Sequence, residues 1–234
     1  FSKFRDLAGD ITIFIIGYSC LKVSKVQIEN PKMKIVVYLF VVYLNKIMFK
    51  VKLFFMSPIS IRKATISDLE VIQEISKQTF IETFAAVNKP ENMENYVREN
   101  FNSQQLALEV NNRESSFYLA SLENKIIGYM KLNFGDSQTE IHSLQAMEIH
   151  RIYVLEAFHG KKIGQLLLNE AILIGQHAGV DSIWLGVWEK NYKAIEFYSK
   201  NDFVEFDKHI FTLGNDVQTD LLMELRIINQ SSYL

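Results

Sequence analysis

The residues best arranged for chemistry run from Leu155 to Gly164, Leu-Glu-Ala-Phe-His-Gly-Lys-Lys-Ile-Gly, after a β-rich segment that ends at Val154. They lead straight into the apolar-periodic stretch Gln165-Leu166-Leu167-Leu168. A helix that starts here would present unpaired N–H groups and the positive end of its macrodipole, which together make an anion site. Gly160 and Gly164 would let a diphosphate reach the main chain with no Cβ in the way, while Lys161 and Lys162 would neutralise phosphate oxygens. Glycines at this spacing also arise for packing and lysines for solvation, so the turn alone indicates an anion site without naming a ligand. It matches neither Gly-x-x-x-x-Gly-Lys-Ser/Thr nor Gly-x-Gly-x-x-Gly. Proton-moving side chains flank it in sequence: Glu148 and His150 before, Tyr198 after.

The elements that must position these residues follow from periodicity. Ile59 to Ala64 alternates as a strand, and Ser67 three residues before Glu70 signals a capped helix that continues through Leu69, Ile72, Ile75, Phe80 and Phe84. Asn92 to Val110 offers a second amphipathic helical stretch. Ser116–Leu122 and Ile126–Phe134 flank Glu123-Asn124-Lys125 as a hairpin, and Gly135–Gln145 is polar and loop-like. A strand at Met147–Val154, a helix over about Ile163–His177 and a strand at Ile183–Trp188 form a unit of βαβ length, which predicts parallel pairing. A helix over Tyr192–Lys200, a strand at Phe203–Asp207, a turn at Leu213–Asp216 and a strand at Thr219–Ile227 complete a mixed sheet flanked by helices. The fold class is α/β (α+β).

Composition narrows the function. In 234 residues, 48% are hydrophobic and 22% charged, enough for one well-buried catalytic domain. The single cysteine, Cys20, excludes a disulfide framework and a cysteine-built metal site, and a lone thiol suits a reducing compartment, read as cytoplasmic. Residues 1–55 hold nine Lys/Arg and three Asp/Glu, leaving 16 basic against 24 acidic residues from Met56 onward. A body that negative repels nucleic acid and suits either a cationic substrate or plain solubility. The ten-residue apolar run Ile35–Leu44 falls short of the roughly 20 residues of a membrane span. Because the chain opens on Phe1 and Met56 precedes a strand-like start, residues 1–55 are expected to be an extension outside the native domain, which is expected to cover 56–234.

Two strings together carry a family resemblance. Met147 to Val154, followed by His159-Gly160-Lys161-Lys162-Ile163-Gly164, resembles the cofactor motif of the GNAT N-acetyltransferases, in which a strand precedes Gln/Arg-x-x-Gly-x-Gly/Ala. The departures are His159 for Gln/Arg and Lys162 for the first patterned glycine. Asn191 to Phe203 resembles the family's Asn-x-x-Ala-x-x-Phe-Tyr-x-x-x-Gly-Phe, with Asp202 in place of glycine. Pro90–Met93, Ile183–Asn191 and Gln218–Leu221 look like the PaiA-type spermidine/spermine N-acetyltransferases. The resemblance implies a mixed, mostly antiparallel sheet with a splayed parallel strand pair that holds acetyl-CoA. It also implies transfer of acetyl to a primary amine by direct attack on the thioester.

On this resemblance Ile152, Tyr153 and Val154 pair with pantetheine. His159, Gly160, Lys161, Lys162, Ile163, Gly164 and Gln165 meet the diphosphate, and Asn191, Ala194, Phe197 and Lys200 complete the cofactor side. An alkylammonium has a pKa of about 10.4, so a base must take its proton. Glu148 is the first candidate, directly or through water, and regular alternation would set it on the face of Ile152 and Val154. His150 is the second. A backbone N–H near Val154 would meet the developing oxyanion, and Tyr198 would protonate the departing thiolate. Glu82, Asp136, Glu140, Glu148 and Glu189 are the carboxylates available to a polyamine pocket. Trp184 and Trp188 share one face as core or as a substrate wall. No His/Cys/Asp cluster has metal-ligand spacing, so no metal is expected. No nucleic-acid or membrane partner is expected either, and a homodimer is left open. A peptide or protein N-acetyltransferase and a non-catalytic acyl-CoA-binding module are the competing readings.

Overall fold

The computed structural model describes residues 59–140, 143–214 and 216–227, within a compact unit that spans Pro58–Leu234. The expected 1–55 extension lies outside the described residues. Seven strands form one sheet: β1 (Ser60–Lys63), β2 (Ser115–Leu122), β3 (Lys125–Phe134), β4 (Ala146–Val154), β5 (Ser182–Trp188), β6 (Val204–Leu213) and β7 (Asp216–Arg226), ordered β1-β2-β3-β4-β5-β7-β6. Five helices flank it: α1 (Leu69–Phe84), α2 (Pro90–Asn100), α3 (Ser103–Asn111), α4 (Ile163–Ala178) and α5 (Tyr192–Ser199). All pairings are antiparallel except β4 with β5. None of the described helices is long and apolar enough to cross a membrane.

Local chemistry fixes most boundaries. The β2–β3 turn places Glu123 and Asn124 at φ 50° and 65°, and this backbone twist matches the twist of the two strands it joins. The first helix starts from a different cap than expected. Thr65 N–H donates to Asp68 Oδ2 at 2.9 Å, Arg62 grips the same carboxylate at 2.6 and 2.9 Å, and a short 3₁₀ turn leads into α1. The expected Asn92–Val110 helix is two helices, because Asn102 both ends one and begins the next. Its Nδ2 donates to the Arg98 and Glu99 carbonyls while its Oδ1 accepts from Gln105 N–H at 2.8 Å. The sixth strand runs six residues past Asp207, because its register with β7 extends to the Leu213–Asp216 pair at the hairpin.

The sheet separates two apolar cores. On one face α4 packs Leu167, Leu168 and Ala171 with Met130, Leu132, Met147, Ile149, Ile183 and Leu185, and Tyr198 and Phe203 close the end. On the other, α1 to α3 pack Ile72, Ile75, Phe80, Met93, Phe101 and Leu106 against Phe117, Leu119 and Tyr129. This second core encloses charge. Glu109 of α3 meets Arg151 at 2.8 Å and Lys131 at 3.0 Å, with the three side chains 11%, 7% and 5% exposed. Burial opposes ionisation of Glu109, but Arg151 and then Lys131 overcome it and hold its carboxyl below the usual range. Burial and the Arg151 charge pull the Lys131 ammonium down to about 8, against the attraction of Glu109.

Lys131 therefore binds its proton less tightly in the folded chain than in the unfolded one. Between pH 8 and about 10 the unfolded chain binds the extra proton, so stability should rise with pH over that window. Denaturant unfolding at pH 7.5 and 9.5 should show this rise, and Lys131→Met should flatten it. An equal rise in the variant would assign it to other groups.

Candidate active site

Strands β4 and β5 pair over three positions only, Ala146–Ser182, Met147–Ile183 and Glu148–Trp184. Beyond Glu148 they part, while β5 stays paired with β7 as far as Trp188–Asp220. The parting coincides with a bulge. Lys131 pairs with Arg151 and Leu132 with Ile149, so His150 is an extra residue in β4. A bulge bends its strand and sharpens the twist, which here turns the end of β4 away from β5.

The gap exposes main chain. Leu155 N–H donates to the Ile127 carbonyl at 2.9 Å, so its polar groups face β3. Alternation then turns those of Tyr153 to β3 and those of Ile152 and Val154 into the gap. The Val154 N–H is the donor nearest the strand end.

The bulge also changes which side chains share a face. Glu148 does not lie with Ile152 and Val154, as regular alternation requires. It stands opposite Asn133, on the face of Arg151 and Tyr153. There its carboxylate, 2% exposed, accepts from Asn133 Nδ2 at 2.9 Å, Thr139 N–H at 2.9 Å and the Thr139 hydroxyl at 2.5 Å. Ser115 in turn donates to Asn133 Oδ1 at 2.8 Å. The Nδ1 of His150 is enclosed and has no hydrogen-bond partner among the described residues. Burial, then the Arg151 and Lys131 charges, hold this imidazole well below its usual range, which makes it a weak proton acceptor.

The turn after β4 has the shape of an anion cradle. A 3₁₀ turn at Glu156–Phe158 leads to Gly160 at φ +74° and Lys162 at φ +63°, after which α4 begins. No side chain caps that helix start, and Leu166 N–H is bonded back to the Lys162 carbonyl at 3.1 Å. A Cβ placed on Gly160 or Gly164 would meet no protein atom within 4 Å, so the space beside both glycines is open. Open N–H groups and open space suit a diphosphate. Lys161 extends over the Phe158 ring at 4.6 Å.

Several residues expected on the cofactor side are engaged within the protein. His159 Nε2 lies 2.8 Å from the Val154 carbonyl, so it must donate there, which ties the turn to the strand. Gln165 donates to Asn169 at 2.9 Å and to Asn201 at 2.6 Å, joining α4 to the segment after α5. Asn191 caps α5 through Ala194 N–H at 3.3 Å, and Lys200 pairs with Glu196 in the open at 2.6 Å. Ile163 is buried, while Ala194 and Phe197 pack at the edge of the core. Tyr198 is 7% exposed between Phe197 and Phe203, and burial pushes its phenol up, so the hydroxyl keeps its proton at neutral pH.

Sequence patterns gave little sign of the opposite wall of the gap. Phe84, at the end of α1, reaches Tyr153 at 6.4 Å and Trp188 at 6.3 Å, one ring touching both diverging strands. Gln138 accepts from Trp184 Nε1 at 2.6 Å, and with the Thr139–Glu148 bonds it fixes the loop after β3 to the sheet. Of the carboxylates proposed for a pocket, Glu82 instead accepts from Glu156 N–H at 2.8 Å and braces the turn. Glu140 pairs with His209 of β6.

Comparison with known proteins fits this geometry. The acetyltransferase (GNAT) family model matches residues 71–203. An uncharacterised N-acetyltransferase from Lactobacillus delbrueckii subsp. lactis is 33% identical over 173 residues, 74% of this chain and all of that protein. A spermidine N(1)-acetyltransferase from Thermoplasma acidophilum is 30% identical over 149 residues, 62% of this chain and 88% of that one. The crystal structure of PaiA N-acetyltransferase from Thermoplasma acidophilum in complex with coenzyme A superposes with a TM-score of 0.61 at 29% identity, covering 73% of this chain and 99% of the other. The chain belongs to the GNAT acetyltransferase family and is an N-acetyltransferase that uses acetyl-CoA.

Lys162 occupies the left-handed backbone position where the family pattern has glycine, at a cost of about 1–2 kcal/mol for a residue with a Cβ. Lys162→Gly should raise stability in denaturant unfolding by about 1 kcal/mol. A destabilised variant would show instead that contacts of the lysine side chain hold the turn.

Proposed function

We propose that this chain acetylates a primary amine of a small cationic acceptor, a polyamine such as spermidine, by direct attack on the thioester of acetyl-CoA. The carrying observation is the gap between β4 and β5. It leads on one side to the uncapped start of α4 and on the other to the aromatic wall of Phe84, Tyr153 and Trp188. The polyamine step is supported by the likeness to a spermidine N(1)-acetyltransferase and by the excess of acidic residues from Met56 onward.

Bound acetyl-CoA supplies an activated acyl group with a thiolate leaving group. In this reading Ile152 and Val154 offer main chain to the pantetheine arm, while Tyr153, expected to do the same, has its main-chain groups turned to β3 and lines the site with its ring. The Val154 N–H meets the carbonyl oxygen on which negative charge grows. The N–H groups from Lys162 to Gln165, with Gly160, Lys161 and Gly164, receive the diphosphate. His159 shapes that turn rather than charging it. Asn191, Ala194, Phe197 and Lys200 line the cofactor side through α5.

A carboxylate offers about four acceptor sites, and three on Glu148 are occupied. The remaining one takes the acceptor's proton through an ordered water, on the face that Tyr153 shares. Tyr198 donates a hydrogen bond to the leaving sulfur. Because burial raises its phenol above a thiol's pKa of about 8.5, full proton transfer is uphill, and stabilisation of the developing thiolate is its main contribution. A cytoplasmic setting fits the lone thiol Cys20, and Met56 remains our proposed start of the catalytic domain.

Coenzyme A release by the purified chain should be seen with spermidine or spermine and be much slower with aminoglycosides and N-terminal peptides. Release only with peptides would overturn the polyamine reading. Tyr198→Phe should lower kcat on the order of 10²-fold while leaving acetyl-CoA affinity within a few-fold. Unchanged turnover would remove Tyr198 from the chemistry.

A further inference from the structure

The β7 carboxylate Asp220 belongs to neither half of the site described so far. It pairs across the sheet with Trp188 on one side and with His209 on the other. Cross-strand partners project from the same face, so Asp220 stands on the face of Trp188, which is also the face of Glu148 and Tyr153. Gly186 carries no side chain, and a Cβ at that position would meet Asp220 Oδ2 and Leu222 Cδ2, each at 3.7 Å, so these two side chains lean over its bare backbone. The carboxylate thus stands beside Trp188, whose ring also meets Phe84 at 6.3 Å.

Asp220 is also poorly satisfied. It is half-buried, and no hydrogen-bond donor reaches its carboxylate among the described residues. Burial pushes its carboxyl up, and the one charge acting against this is His209. That histidine is already paired with Glu140 from the loop after β3. A carboxylate removed from water and given no donor costs free energy unless a partner arrives. The flanking rings suit that partner being a cation, since an aromatic face attracts an ammonium group. Trp188 already holds the Lys190 ammonium 5.8 Å from its ring.

We propose that Asp220 is the acceptor-anchoring residue, which receives an ammonium group of a polycationic amine beside Trp188 and so sets the preference for charged acceptors. This rests on the amine-acceptor reading above and adds to it the residue that recognises the charge. Glu148, across the gap on β4, keeps the proton-transfer role, and the two carboxylates divide binding from chemistry.

The test separates binding from turnover. Calorimetric titration of spermidine into the full chain saturated with coenzyme A should give an affinity that falls at least 10-fold in Asp220→Asn and is largely restored in Asp220→Glu. Coenzyme A affinity should stay within twofold, which reports an intact fold. In steady state, KM for spermidine should rise with kcat changed less than threefold. Equal spermidine affinity in wild type and Asp220→Asn overturns the proposal, as does the absence of spermidine binding to wild type. A fall in kcat with KM unchanged also overturns it, by making Asp220 part of the chemistry. A chain that binds spermidine through Asp220 but releases no coenzyme A would instead sink the catalytic reading and leave the anchor standing.

Discussion

Two parallel strands that part after three paired residues leave main-chain donors and acceptors facing each other across a gap too wide to bridge. Each buried N–H without a partner costs about 1–3 kcal/mol, so a fold that opens its own sheet needs something to fill the opening. Here the His150 bulge opens it, and the main-chain groups of Ile152 and the N–H of Val154 line it, the Val154 carbonyl being held by His159. An extended thioester arm with amide groups of its own is a chemical match for that edge. In the proposed reading the cofactor takes the place of a missing strand.

The same bulge reassigns every side chain before it. Glu148 and Arg151 share a face because one extra residue lies between them, and both enter the core beneath α1 to α3. A charged core is costly unless each member is paired, and the pairing is complete around Glu109, Arg151 and Lys131. Glu148 is satisfied separately, by Asn133 and Thr139. Its bonds therefore do two things: they settle a buried carboxylate, and they hold the loop after β3 against the sheet beside the gap. Stability and site geometry are the same set of contacts.

Around the gap, polar groups fall into those already engaged and those left open. His159, Gln165, Asn191 and Lys200 satisfy one another's neighbourhoods within the turn and α5, so they shape the cofactor side mainly by fixing backbone. Gly160, Gly164 and the start of α4 stay open. With the proposed anchor at Asp220, groups that favour an anion and a group that favours a cation are separate, which suits a negatively charged cofactor meeting a positively charged acceptor.

The order and type of nearly every element were legible in the chain, because strand alternation, helical spacing, the Glu123-Asn124 turn and the glycine–lysine turn are local properties. Two motifs in sequence order were enough to indicate the family and the place of the cofactor. Asn102 shows where local reading stops, since one amide that caps two helices looks like a polar residue within a continuous amphipathic run. The His150 bulge was equally hidden. Whether a strand residue is paired or extra depends on the register of its neighbour, and that reversed the face assigned to Glu148. Asp220, Phe84 and Glu109 come from segments distant in sequence, so only tertiary packing could decide which of the chain's many acids lie beside an aromatic wall and which are buried with arginine. Sequence by itself determined the family and most of the fold. The proposed acceptor half depends on contacts such as Phe84 with Trp188, about 100 positions apart, and on the register that sets Asp220 beside Trp188, whose meeting no local pattern encodes.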